Sequence, residues 1–412
     1  MIKPTLLLII DGFAHDYLNH VTFLNDFAHH NSQAKLIPGF GFQPVIASIL
    51  TGTYPVTNNV WNNYIYDRNE NKSVWLKSLW ALFQQVDRIP YTQKLVRYGV
   101  SALSYPLVGF FPPVNYVPFN RLRHFNISMK CAITERNAIA GITSLFDTLR
   151  NENISFKYIH GCVVTSNKQK RISYPISVSD KTTYKSFIKA LEPRTSFYMV
   201  YFTDVDRVGH AYGPKSPKLI ETIRSVDQYA RDAIAAFESL YGDTNIIVMS
   251  DHGMAEIHNH IDIEKIENNI SLKAGRDYMV FLDSMMARFW YENETARAKI
   301  RAQLQTYAGI RLISDEEKVK YKINFDHDLY GEDVFVADPD TVIMPNYFQR
   351  SSVKGMHGYG PGNEATNGIF MLNREGFQDI EIEYIDAFPT MLEMMSLPIP
   401  ASNEGKSALS LI

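Results

Sequence analysis

Four short segments of this chain carry side chains able to hold divalent cations. In Phe202-Thr203-Asp204-Val205-Asp206-Arg207-Val208-Gly209-His210, Asp206 and His210 stand four residues apart, and Gly209 would permit a turn that folds them onto one ion. In Val248-Met249-Ser250-Asp251-His252-Gly253, an adjacent Asp-His pair follows an apolar run. In Lys354-Gly355-Met356-His357-Gly358, a histidine lies among glycines, where backbone can approach an ion closely. Asp11 ends the run Thr5-Leu6-Leu7-Leu8-Ile9-Ile10 and completes the set. A mixed carboxylate and imidazole shell suits Zn²⁺ first, with Mn²⁺ or Fe²⁺ as alternatives. Any one of these histidines alone would more often be an ordinary surface or core residue.

The elements that must position these residues are short, fully apolar runs of the kind buried on both faces of a parallel sheet. They cover Thr5 to Ile10, Ser196 to Phe202, Asn245 to Met249 and Ile369 to Leu372. The first three lead directly into Asp or an Asp-bearing turn. Ligands of open α/β sheets collect at the C-terminal ends of the strands. A helix is predicted from Pro217 to Tyr241, with Ser216 as N-cap, Pro217 at its first position and Gly242 closing it. Its apolar stripe is Ile223, Val226, Ala230, Ala233, Phe237 and Leu240, which reads as core packing. The fold class is α/β: a three-layer sandwich with a mostly parallel central sheet and cap insertions. The core is expected over 1–84, 195–275 and 345–412, and the cap or substrate insertions over 85–194 and 276–344.

The order Asp11, Asp206 with His210, Asp251-His252-Gly253, then His357-Gly358 resembles the alkaline phosphatase superfamily, and most of all its nucleotide pyrophosphatase/phosphodiesterase branch. Asp386-Ala387-Phe388-Pro389-Thr390-Met391-Leu392, with Pro398, Pro400 and Gly405-Lys406-Ser407, is similar to the end of that family's core. The resemblance implies two divalent ions. Asp206, His210 and His357 would hold one, and Asp11, Asp251 and His252 the other.

The resemblance also implies a Thr or Ser nucleophile ten residues before Gly52, and that position holds Phe42. An Asn that steadies a phosphoryl oxygen is expected twenty-one residues later, and Asn63 stands there, so the register holds at both ends. Phe can neither bind an ion nor attack phosphorus. Ser48 is a candidate for a displaced nucleophile, although it would lie within the following helix, pointing away from its N-terminus. Three readings follow: attack by a water that the ions activate, binding of a phosphorylated ligand without turnover, or transfer to an acceptor on a lipid-linked or sugar substrate. The leading expectation is a phosphodiester or nucleotide-linked hydrolase without a covalent phospho-enzyme step. Besides the two ions, the helix N-terminus near Gln43-Pro44 and Asn63 would hold the anion. Asp204 and Asp67 are expected to orient ligands by hydrogen bonds, and His258 and His260 are further candidate ligands.

A net charge of −3, from 41 basic and 44 acidic residues, argues against a dedicated nucleic-acid binder. The expected partner is an anionic phosphorylated small molecule or a lipid-linked substrate. Tyr98 to Asn120 contains no charged residue; Pro106, Pro112, Pro113 and Pro118 would break a lipid-exposed helix, so it reads as a buried cap segment or as a peripheral membrane contact. Two cysteines, Cys131 and Cys162, imply no disulfide framework. The N-terminal apolar run is short and ends in Asp-Gly, unlike a signal peptide. A cytoplasmic location, or one peripheral to the inner face of the membrane, is the expectation.

Overall fold

Burial of every residue of Thr5–Ile10, Asn245–Met249 and Gly368–Leu372 fixes the centre of the structure. The computed structural model describes residues 2–41, 45–66, 68, 116–118, 121, 124–129, 131–167, 178–263, 270–349 and 351–411. The chain divides into two compact units. The first comprises Met1–Val60, Cys131–Glu256 and Val353–Ile412; the second comprises Trp61–Lys130 and Ile257–Ser352.

The strands of the first unit, numbered along the chain, are β1 (Thr5–Ile10), β2 (Ser32–Ile37), β3 (Phe156–His160), β4 (Val163–Ser166), β5 (Phe197–Phe202), β6 (Asn245–Met249), β7 (Ala255–Glu256), β8 (Gly355–Met356), β9 (Gly368–Leu372) and β10 (Ile380–Glu383). Eight of them form one sheet in the order β10-β2-β9-β6-β1-β5-β3-β4, and β7 pairs with β8 apart from it. β1 runs parallel to both β5 and β6, with Ile9 beside Tyr201 and Met249. β3 is parallel to β5 and β10 to β2. β9 runs antiparallel to both β6 and β2, which corrects the parallel direction expected for Ile369 to Leu372. An apolar run buried on both faces has the same composition in either direction.

Alternation along these strands feeds two cores. Leu6, Leu8, Ile10, Val200 and Val248 pack with Ile223, Val226, Ala230 and Phe237 of a long helix on one face. Leu7, Ile9, Met199, Ile247 and Phe370 pack on the other with Phe146, Phe388 and Met391. Helices on both faces of a mostly parallel sheet make the α/β/α sandwich. The helices of this unit are α1 (Phe23–His30), α2 (Val45–Ile49), α3 (Pro55–Asn58), α4 (Leu145–Asn151), α5 (Asp180–Ala190), α6 (Asp204–Tyr212), α7 (Pro217–Tyr241) and α8 (Ala387–Met394). α7 has the predicted bounds, and the Ser216 hydroxyl accepts the Leu219 N–H at 3.2 Å. Leu240 departs from the predicted stripe and is exposed.

Residues 131–194, assigned from the sequence to an insertion, fall in the first unit, because β3 pairs with β5 and α5 packs beside it. The second unit holds a four-stranded antiparallel sheet of Tyr278–Leu282, Met286–Tyr291, Asp333–Ala337 and Ile310–Leu312 over its own aromatic core. Inside it, Arg288 and Asp283 are fully buried, with Arg288 Nε 3.1 Å from Asp283 Oδ2.

Candidate metal centre

All six candidate ligands lie in the first unit, five of them at or just beyond the C-terminal ends of three adjacent parallel strands. Asp11 follows β1, and its N–H donates to the Phe202 carbonyl at 2.9 Å. Asp251 and His252 follow β6 and are buried. His357 follows β8, which is tied to β7 beyond the end of β6. Asp206 and His210 do not flank a turn, as expected from Gly209. Both lie on α6, where a spacing of four residues puts them on one face. Gly209 serves close packing instead: a Cβ there would meet Met254 Sδ at 2.4 Å. Gly12 has φ +72°, and a Cβ on it would meet Asp206 Cα at 2.9 Å. The chain thus turns off β1 in a left-handed conformation that lets α6 sit against it.

Two groups form. In each, the ligand atoms lie within 4.8 Å of one another: Asp206, His210 and His357 in one, Asp11, Asp251 and His252 in the other. These are the sets that the family resemblance implied. The His252 and His357 rings stack at 3.5 Å and 12°, so the groups are neighbours.

The hydrogen bonding around the imidazoles tests whether cations fit. His210 Nδ1 lies 2.8 Å from the Gly355 carbonyl, and His252 Nδ1 lies 2.8 Å from that of Gly253. A carbonyl only accepts, so each Nδ1 is the protonated nitrogen and each Nε2 is turned inward. His210 Nε2 then faces Asp206 Oδ1 at 3.1 Å, and His357 Nε2 lies 3.6 Å from the same oxygen. His252 Nε2 lies 3.4 Å from Asp11 Oδ1 and 3.7 Å from Asp251 Oδ2. Asp206 Oδ1 is buried without a hydrogen-bond partner. Lone pairs of nitrogen and oxygen converging in this way call for a positive charge between them, and the donor set fits divalent cations.

Titration directions follow burial and charge: against burial, the Asp206 carboxylate raises the His210 imidazole. Burial, then the Asp251 and Asp206 carboxylates, push the Asp11 carboxyl well above the usual range. Burial also pushes Asp206 up, but His210, His357 and His252 outweigh it and hold that carboxyl low. Burial and then His252 hold His357 well below the ordinary imidazole value, which keeps its nitrogen free for a metal.

Tyr201 is a site residue that the sequence reading missed. Its hydroxyl lies 3.1 Å from Asp11 Oδ2 and 3.3 Å from Asp251 Oδ2. Burial, then Asp11 and Asp251, raise its pKa well above the ordinary phenol value, so it remains a donor. Asp204 turns away from the ligands: its carboxylate accepts the Asp180 N–H at 2.8 Å and pairs with Arg207. His258 and His260 are exposed and lie in the second unit, outside both groups. Ser48 is buried, and its hydroxyl accepts from Asn58 Nδ2 at 2.9 Å.

Phe42, Gln43, Pro44 and Asp67 lie outside the described residues, as does Tyr98 to Asn120 apart from 116–118. Asn63 is half-buried in the second unit. Its neighbours are held by Arg288, which donates to Asn62 Oδ1 at 3.0 Å and to the Tyr64 carbonyl at 2.9 Å. Among the described residues, no helix is long and apolar enough to cross a membrane.

With fold and ligands in place, the chain belongs to the type I phosphodiesterase / nucleotide pyrophosphatase family, whose model matches residues 5–360. It is 21% identical over 266 residues to the venom phosphodiesterase CdcPDE of Crotalus durissus collilineatus, covering 59% of this chain and 30% of that protein. The chain spans between 29% and 31% of the length of the venom phosphodiesterases it matches. It is 22% identical to the bis(5'-adenosyl)-triphosphatase of Pongo abelii over 424 residues, which cover 98% of this chain and 80% of that one. Murine ectonucleotide pyrophosphatase/phosphodiesterase 5 superposes with a TM-score of 0.70 at 17% identity, covering 100% and 99% of the two chains. An inactive form of that mouse protein, in complex with AMP, gives 0.68 at 18% identity, covering 97% of each. At these identities the structural likeness shows the fold.

Proposed function

We propose that the protein hydrolyses a phosphodiester or nucleotide-linked phosphoester with two divalent ions, zinc first and manganese or iron as alternatives. The observation that carries this reading is the pair of Asp/His groups, in each of which the inward Nε2 and carboxylate atoms converge within 4.8 Å of one another. Such ions would offset charge building on a transferring phosphoryl group and lower the pKa of bound water towards about 7. The chain's own part is to hold three carboxylates and three imidazoles in place, with Nδ1 bonds to Gly355 and Gly253 and the Tyr201 hydroxyl orienting them. Asn63 would steady a phosphoryl oxygen. The relatives' printed activities, on nucleotide pyrophosphates and bis(5'-adenosyl) triphosphate, and the AMP bound by the mouse neighbour point to a nucleotide-linked substrate.

One observation favours a second reading, a catalytically silent binder of phosphorylated ligands: Phe42 at the position where the family resemblance implies a nucleophile. Metal analysis combined with nitrophenyl phosphate mono- and diester assays separates the two. Two bound ions and diesterase activity that Asp251→Ala abolishes and Ser48→Ala leaves intact are expected. Full ion occupancy with no turnover of any ester would sink the hydrolase reading. Gain of activity in Phe42→Thr would confirm the register.

A further inference from the structure

The two ion groups are anchored differently. Asp11, Asp251 and His252 follow directly on β1 and β6, whose registers are locked by parallel ladders at the sheet centre. Asp206 and His210 ride on α6, a nine-residue helix. Helices that short are marginal in isolation and depend on their surroundings for position. The N-cap residue of α6, Thr203, makes no side-chain capping bond.

The missing cap comes from another helix. Asp180, the first residue of α5, is fully buried, and its carboxylate accepts the Thr203 N–H at 2.7 Å and the Asp204 N–H at 2.9 Å. α5 also lacks a side-chain bond from its own N-cap, Ser179. Asp204 returns the contact, accepting the Asp180 N–H on Oδ2 at 2.8 Å. Each helix therefore begins on the other's carboxyl group, with acceptor oxygens on the N–H groups at both N-termini. The next bond along α6, from the Asp206 N–H to the Asp11 carbonyl at 3.1 Å, leads straight to a candidate ligand.

We propose that Asp180 and Asp204 are positioning residues whose reciprocal cap sets the placement of α6, and through it the affinity of the Asp206, His210 and His357 group for its ion. The inference rests on the two-ion reading above. It assigns the cap to one ion and not the other, which a merely structural role would not do.

The test is a Zn²⁺ titration of the whole chain against a competing chelator, with His210→Ala and Asp251→Ala assigning the two binding steps. Asp180→Ala and Asp204→Ala are each expected to weaken the step assigned to the His210 group on the order of tenfold, leaving the other step unchanged. Asp180→Asn, which keeps an acceptor oxygen, should fall between and serves if the alanine variant fails to fold. Ser144→Ala, which removes the α4 cap, controls for general destabilisation and should lower the melting temperature with both affinities intact. Equal weakening of both steps, or of neither, would overturn the inference while leaving the two-ion reading standing. A wild-type chain that binds fewer than two ions would overturn both.

Discussion

At the scale of single residues, ligand identity was legible and ligand support was not. Asp and His beside glycine, after apolar runs, are unusual enough in type and order to stand out from sequence. Tyr201 is a Tyr in a buried strand, and by type it reads as core. Its role comes from pairing with Ile9 of β1, which brings its hydroxyl near Asp11, a contact 190 residues apart in sequence. One hydroxyl proton serves two carboxylates there, and an outer partner of this kind typically supports metal affinity by ten- to a hundredfold. Tyr201→Phe should weaken the Asp11, Asp251 and His252 ion by about that factor, read in a chelator-competition titration. Gly209 was noticed for the wrong reason: it serves not a turn but close packing, since a Cβ there would push against Met254 Sδ. Gly209→Ala is expected to cost about 1–3 kcal/mol by overpacking, measured by denaturant unfolding.

At the scale of elements, sequence runs gave strand positions but not their directions. β9 is antiparallel because of where β6 and β2 lie, which its own residues do not encode. Likewise α6 is helical although it contains Gly209, because tertiary contacts and the Asp180 cap outweigh local propensity. That cap has a pH signature. Burial first, then Asp204, push the Asp180 carboxyl up to about 7, against the Thr203 and Asp204 N–H bonds that lower it. In the unfolded chain it titrates near the ordinary carboxylate value, about 3.9. Between those values the folded state holds more protons than the unfolded one, so this group's contribution to stability falls as pH rises through the window. Ion-free wild type should therefore lose stability from pH 4 to about 7 relative to Asp180→Asn, whose amide does not titrate. Parallel urea titrations across that range provide the check.

At the scale of the whole molecule, two units share one chain that passes between them four times, at 60/61, 130/131, 256/257 and 352/353. The core was legible where strands were continuous apolar runs. It was not legible across 131–194, because β3, Phe-Lys-Tyr-Ile-His, mixes charge into a strand near the sheet edge. The clustered carboxylates make folding and ion binding interdependent. Ions binding the folded state alone should each add about 2.7 kcal/mol at a hundredfold excess over Kd. Chelation should thus lower the melting temperature, and added Zn²⁺ or Mn²⁺ should restore it.

β9 also imposes an order on synthesis. It sits between β6 and β2, yet it is translated after both, and after the whole of the second unit. Until residues 368–372 leave the ribosome, β2 has no neighbour in the sheet, and β6 shows an open edge on the side away from β1. Exposed strand edges of nascent chains are where misassembly begins. β9 closes that gap, and β10, made after it, adds only the outer edge, so chaperone dependence during translation should end with the emergence of β9.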